Sequence, residues 1–259
     1  MSNQRKIYLA ANWKMNLSLK NLQDYFDTLK KNCSPSLEEI SQKIDITLAV
    51  PSLFLTKASE VFSTSPVKIC AQNVHWEDSG AFTGELSCRM LKEAEITTSV
   101  IGHSERRKLF HESNEDVTKK FQKIISEKMT PILCVGETKE ERESKKTFAV
   151  LGKQMKSCLA NLDKNSSFIV AYEPVWAIGT GLTASKEQAQ EAHKFIREWL
   201  KENINENISQ QTRILYGGSM KPEVTQELLS APDIDGGLVG GASLDPEKFA
   251  KMLNIAYAQ

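Results

Sequence analysis

Short apolar runs that end in glycine or polar clusters alternate along this chain with longer stretches of helical period. The alternation predicts strands at 6–11, 46–50, 68–71, 99–101, 131–135, 168–172, 213–216 and 237–239. Between them, apolar residues at three- and four-residue spacing predict helices over 17–31 and 114–128. The stretch 140–162 reads as one long helix or two, and 185–200 opens with Ser185-x-x-Gln188, a capping-box pattern that satisfies free first-turn amides. No low-complexity tract, linker or composition shift divides the chain, so 1–259 reads as one domain.

Eight strand-then-helix units in 259 residues fit a closed (β/α)8 barrel, and a doubly wound open sheet gives a similar alternation. The unusual residues favour the barrel, because each cluster of them follows a strand. Asn12-Trp13-Lys14 follows the first, Gln72-Asn73 the third, His103-Ser104-Glu105 the fourth and Glu173-Pro174 the sixth. Tyr216-Gly217-Gly218-Ser219 follows the seventh and Gly240-Gly241 the eighth. In a parallel barrel all these strand ends converge on one face, which places the active site at the C-terminal ends of the strands.

Charge narrows the possible partners. Lys and Arg total 33 against 33 for Asp and Glu. That balance argues against a nucleic acid or membrane surface held by bulk charge. The apolar run after the N-terminal basic residues stops at Asn12, too short for a secretory core or a membrane span, so the chain reads as cytoplasmic. Five scattered cysteines with no C-x-x-C suggest neither a disulfide framework nor a zinc site. Cys134 reads as a small apolar residue of the barrel wall.

Gly-rich turns after the seventh and eighth strands aim backbone N–H groups at an anion, and Ser219 adds a hydroxyl. A lone Gly-Gly is more often a tight turn, but two at the strand pair where barrels commonly hold phosphate shift the balance. With no G-x-G-x-x-G and no G-x-x-x-x-G-K-[ST], the expected ligand is a phosphorylated small molecule rather than a nucleotide. Lys14 alone is a surface lysine by default; at a barrel mouth its ammonium neutralises phosphate and stabilises charge growing on oxygen. His103 precedes a helical first turn, which disfavours imidazolium and leaves a neutral hydrogen-bond donor, although a lone histidine is more commonly structural.

The segments "NWKMN", "AQNV", "GAFTGE", "IGHSERR", "CVGET", "AYEPVWAIGTG", "YGGS" and "GGLVGGASL" stand in the order and spacing of one family. On them the chain resembles triosephosphate isomerase from near its N-terminus to Leu244. The resemblance implies a TIM barrel that interconverts dihydroxyacetone phosphate and glyceraldehyde 3-phosphate with no cofactor and no metal, in glycolysis and gluconeogenesis. It implies Glu173 as the base, and His103, Lys14 and Asn12 as the groups that polarise the carbonyl and stabilise an enediolate, with Glu105 a supporting carboxylate. It also implies a lid formed by Pro174, Val175, Trp176, Ala177, Ile178, Gly179 and Thr180. The phosphate grip then comprises Gly179, Ser219, Gly240 and Gly241 beside Asn12 and Lys14. Thr83 is implied at the interface of a homodimer, reaching toward the partner's site.

Three positions depart from the family pattern. Ala11 stands where glycine is common, Lys145 where glycine often serves a bend, and Met220 where valine is frequent. The first is expected to disturb Lys14 slightly and the second to carry strain if positive φ is required. Two other readings remain at this level: a different barrel enzyme acting on a phosphorylated sugar, such as a Schiff-base aldolase, and a non-catalytic phosphate-binding scaffold.

Overall fold

The computed structural model describes residues 5–160, 162–163, 166–177 and 184–259. Its eight strands are β1 (Ile7–Asn12), β2 (Ile44–Val50), β3 (Lys68–Ala71), β4 (Thr98–Ile101), β5 (Thr130–Val135), β6 (Ile169–Tyr172), β7 (Arg213–Tyr216) and β8 (Gly236–Val239). Each is parallel to the next and β8 pairs with β1, so the sheet closes into a barrel. The expected (β/α)8 architecture is therefore the observed one.

Helices cover the outside. In chain order among the described residues they are α1 (Asn21–Asn32), α2 (Leu37–Lys43), α3 (Leu55–Phe62), α4 (Cys88–Glu93), α5 (Ser104–Leu109) and α6 (Asn114–Ser126). They continue as α7 (Lys139–Glu143), α8 (Thr147–Leu159), α9 (Lys186–Asn203), α10 (Glu206–Gln211), α11 (Pro222–Leu229) and α12 (Pro246–Tyr257). The capping box read at Ser185 is formed, with reciprocal bonds between Ser185 and Gln188.

Two predicted helices differ from the observed ones for local reasons. The first starts at Asn21 rather than at 17, because Leu17 has φ 65° and the Asn21 side chain accepts from Ser18 N and Oγ instead. The stretch 140–162 is two helices, broken where Lys145 sits at φ 57°. A left-handed residue cannot continue a right-handed helix.

Period-two alternation assigns each strand residue to one of two cores. Tyr8, Ala10, Cys70, Val100, Cys134, Ala171, Leu215 and Leu238 fill the barrel interior. Leu9, Ala11, Leu48, Ile101, Val135, Tyr172 and Val239 face outward and pack under the helices. Ala11 is thus an outer-core residue, and its methyl lies away from the barrel mouth. Cys134 is the small wall residue expected, its thiol pKa pushed well up by burial and the nearby Glu173 carboxylate. The same alternation, carried one step past the interior residues, delivers Asn12, Glu173, Gly217 and Gly240 to the mouth.

Candidate active site

The strand ends enclose a cavity of about 260 Å³ lined by Asn12, Lys14, His103, Glu173, Ser219, Met220, Gly240 and Gly241, among others. Lys14 enters it from an uncommon backbone state, φ 51°, which costs a non-glycine residue on the order of 1 kcal/mol or more. Two bonds hold it there, and a third anchors the Gln72 side chain that makes one of them. Asn12 Oδ1 accepts from Lys14 N at 3.1 Å, and Gln72 Nε2 donates to both Lys14 O and Ala49 O at 2.9 Å. Gln72 was legible only as a strand-end polar residue; its role emerges from the fold.

The Lys14 ammonium lies 2.6 Å from Glu105 Oε1. Its stem passes close to Gly240, where a Cβ would stand 3.5 Å from Lys14 Cε. The lysine therefore joins the carboxylate side of the cavity to its glycine turn.

Glu173 follows β6 and is almost completely buried. Two glycines make room for it: a Cβ on Gly136 would lie 1.8 Å from Glu173 O, and one on Gly217 2.8 Å from Glu173 Cγ. Its carboxylate accepts from Ser104 N at 2.8 Å and Ser104 Oγ at 3.3 Å, and Oε1 lies 3.0 Å from His103 Nε2. Burial alone raises its pKa, but the His103 and Ser104 contacts and the Lys14 charge outweigh burial and hold it below the usual value. In this position Glu173 is a stabilised carboxylate and a weak base.

His103 caps α5, its Nδ1 accepting from Glu105 N at 3.2 Å. That bond requires an unprotonated Nδ1, so the remaining proton belongs on Nε2, toward Glu173. Burial disfavours the imidazolium; the adjacent Glu173 carboxylate outweighs burial and raises the pKa above the ordinary histidine value.

Behind Glu173, the carboxylate of buried Glu137 accepts from Tyr172 Oη at 3.1 Å and Trp176 Nε1 at 3.0 Å. Arg142 reaches the same oxygen at 3.3 Å. The start of the stretch expected to form a lid is thereby anchored: Pro174 leads into a short 3-10 turn, Val175–Ala177, and Ala177 O accepts from Ser219 Oγ at 3.4 Å. Ile178, Gly179 and Thr180 lie outside the described residues. Met220 is buried beside the turn, its sulfur 2.3 Å from where a Gly237 Cβ would be, so the larger side chain depends on that glycine.

Thr83 is not in the cavity. It is exposed on a loop between Gly80 (φ 136°) and Gly84 (φ 95°). A second hollow, about 320 Å³, opens on the far side of Lys14 and is lined by Met15, Gln72, Glu85, Glu105 and Phe110, among others. Met15, at its edge, is 94% exposed.

A family model described as triosephosphate isomerase matches residues 7–256. A triosephosphate isomerase of Alkaliphilus metalliredigens is 42% identical over 253 residues, covering 97% of this chain and 100% of the relative. Those of Lactobacillus acidophilus and Fusobacterium nucleatum are each 45% identical, over 249 and 251 residues, covering 95% and 96% of this chain and 96% and 98% of the relatives.

Proposed function

The chain belongs to the triosephosphate isomerase family, and from that premise we propose that it interconverts dihydroxyacetone phosphate and D-glyceraldehyde 3-phosphate by proton transfer through an enediolate. The observation that carries the reading is the convergence of Glu173, His103 and Lys14 on one small cavity closed by glycine turns. An aldose and a ketose of three carbons differ by one proton moved between adjacent carbons and one moved between oxygens. The reaction needs a base beside carbon and charge-stabilising donors beside oxygen.

Glu173 is the base. Its bonds to Ser104 and His103 make the observed position a resting one. Swinging over substrate gives up those bonds while burial persists, and burial raises the basicity of a carboxylate. Departure of Glu173 also removes the charge that most raises the His103 pKa, so that burial, the Lys14 charge and the Glu105 N–H favour the neutral ring against the Glu105 carboxylate. Neutral His103 then donates from Nε2 to the substrate oxygen and shuttles the proton between O1 and O2. Lys14 stabilises the enediolate and part of the phosphate charge; a donor of this kind is worth roughly 3–4 kcal/mol. Asn12 holds Lys14 in register and lends its amide to the same oxygens, and Glu105 balances the ammonium.

The phosphate sits against Ser219, Gly240 and Gly241, with Gly179 completing the grip from the lid. Closure of Pro174–Thr180 excludes water and discourages expulsion of phosphate from the enediolate. The bond from Trp176 Nε1 to Glu137 anchors the near end of this stretch, which supports a hinge there. No organic cofactor or metal enters these steps. The same reading places the protein in the cytoplasm, in glycolysis and gluconeogenesis, as a homodimer. The Thr83 loop of one copy enters the hollow beside Met15 and Lys14 of the other, a fit supported by that hollow and by exposed Met15 and Phe82.

A coupled assay on purified protein tests the reading: glyceraldehyde 3-phosphate is supplied, and dihydroxyacetone phosphate is followed with a reductase. Rapid turnover that Glu173→Gln lowers by several orders of magnitude is expected. A folded wild type that turns over neither triose phosphate would leave only the fold.

A further inference from the structure

We propose that Tyr25 is a positioning residue for the phosphate end of this cavity, holding the turn after β8 so that its amides face the ligand. The proposal rests on the reading that Gly240 and Gly241 grip phosphate. Tyr25 lies on α1, outside the lining of the cavity, and is 3% exposed. Its hydroxyl donates to Ser243 O at 2.7 Å, a bond across 218 positions of sequence.

Ser243 belongs to the 3-10 turn Gly241–Leu244 and is fully buried. On its inner side the turn is closed upon itself. Ser243 N donates to Gly240 O at 2.9 Å, and Ser243 Oγ donates to Val239 O at 2.9 Å and Gly240 O at 2.7 Å. These bonds fix the shape of the turn. The Tyr25 bond fixes the turn to the barrel exterior, pulling the Ser243 carbonyl toward α1 and away from the cavity.

The same ring stands 4.7 Å from that of Trp13, whose neighbour in the chain is Lys14. Tyr25 therefore backs both segments that present positive charge or amide dipoles to the phosphate end. Packing alone does not require a phenol here. A phenylalanine fills the same volume, whereas a buried hydroxyl is costly unless its bond is made. What the hydroxyl adds is a directional tether on the turn.

The test is Tyr25→Phe in the full chain, with kcat and KM for glyceraldehyde 3-phosphate, the inhibition constant of inorganic phosphate, and turnover of unphosphorylated D-glyceraldehyde. KM and the phosphate inhibition constant are expected to rise together, about three- to tenfold for one lost hydrogen bond. kcat should change less than twofold, and D-glyceraldehyde turnover should match wild type. An unchanged phosphate inhibition constant overturns the proposal. So does an equal fall on both substrates, the signature of a folding defect. Should wild type itself neither isomerise the triose phosphate nor bind inorganic phosphate, the functional reading fails first and takes this proposal with it.

Discussion

At the residue scale, the proposed mechanism turns on a carboxylate whose surroundings pull its charge both ways. Glu173 is pulled toward ionisation by His103 and Ser104 and away from it by burial. A base must also reach its carbon, and reach is set by side-chain length. Glu173→Asp withdraws the carboxylate by one methylene, about 1 Å, a displacement that costs on the order of 10²-fold where reacting atoms are held in place. The fall should appear in kcat with KM little changed, since glutamate and aspartate carry the same charge into the ground state. Steady-state kinetics in both directions check this, and an aspartate variant with wild-type kcat would remove Glu173 from the role of base. Lys14 offers the complementary lesson. Its residue type and strand-end place were visible in the sequence, but its left-handed backbone and the Gln72 amide that holds its carbonyl were not. Hydropathy patterns carry no information on which side chain caps a carbonyl 58 positions away.

At the element scale, strands were more legible than helices. A barrel strand is buried on both faces, so it reads as a continuous apolar run bounded by polar residues, and seven of the eight predicted strands match within a residue at each end; β2 begins at Ile44, two residues early, because Asp45 interrupts the run yet pairs with Lys6 at the barrel rim. Helix ends depend instead on caps and on single backbone states. The break between α7 and α8 is the clearest case, since Lys145 adopts φ 57° in a segment whose apolar period runs on. A left-handed lysine carries roughly 1–2 kcal/mol of strain. Glycine there removes the strain but returns about 0.5–1 kcal/mol of chain entropy to the unfolded state. Lys145→Gly is therefore expected to stabilise the protein by about 0.5 kcal/mol, and urea unfolding of variant and wild type at one protein concentration measures it. A destabilised variant would mean that the lysine side chain contributes more than its backbone costs. The short helix α10 escaped the periodicity for a different reason, since six residues hold too few turns to show one, and α5, equally short, was legible only as a first turn after His103.

For the whole molecule, the barrel separates chemistry from stability. The mouth gathers groups under strain, whereas a buried charge network ties the opposite end together: Arg197 on α9 donates to Asp235 Oδ2, Ser209 O and Thr212 O. One turn earlier on α9 stands His193, completely buried, with Nδ1 3.2 Å from Asp233 O and the rings of Tyr172 and Tyr216 beside it. Burial, aided by the Arg197 charge, holds its pKa down to about 3 from the ordinary 6.5. The sign of the consequence is set by which state takes up the proton. Above pH 6.5 neither folded nor unfolded chain protonates this ring, and the group is neutral to stability. Between pH 6.5 and about 3 the unfolded chain binds the proton and the folded one does not, so stability falls as the pH falls. Two pH units below 6.5 the loss amounts to about 3 kcal/mol, at 1.36 kcal/mol per unit. Replacing the ring by the non-titrating amide in His193→Asn, which keeps a donor for Asp233 O, is expected to cost stability at pH 7.5 through lost packing. It should also reduce the decline between pH 7.5 and 4.5 by about 3 kcal/mol relative to wild type. Every other ionising group is common to the two proteins and cancels in that difference. Urea unfolding at both pH values and equal protein concentration reads it directly, and parallel declines would show that His193 is protonated in the fold as readily as in the unfolded chain.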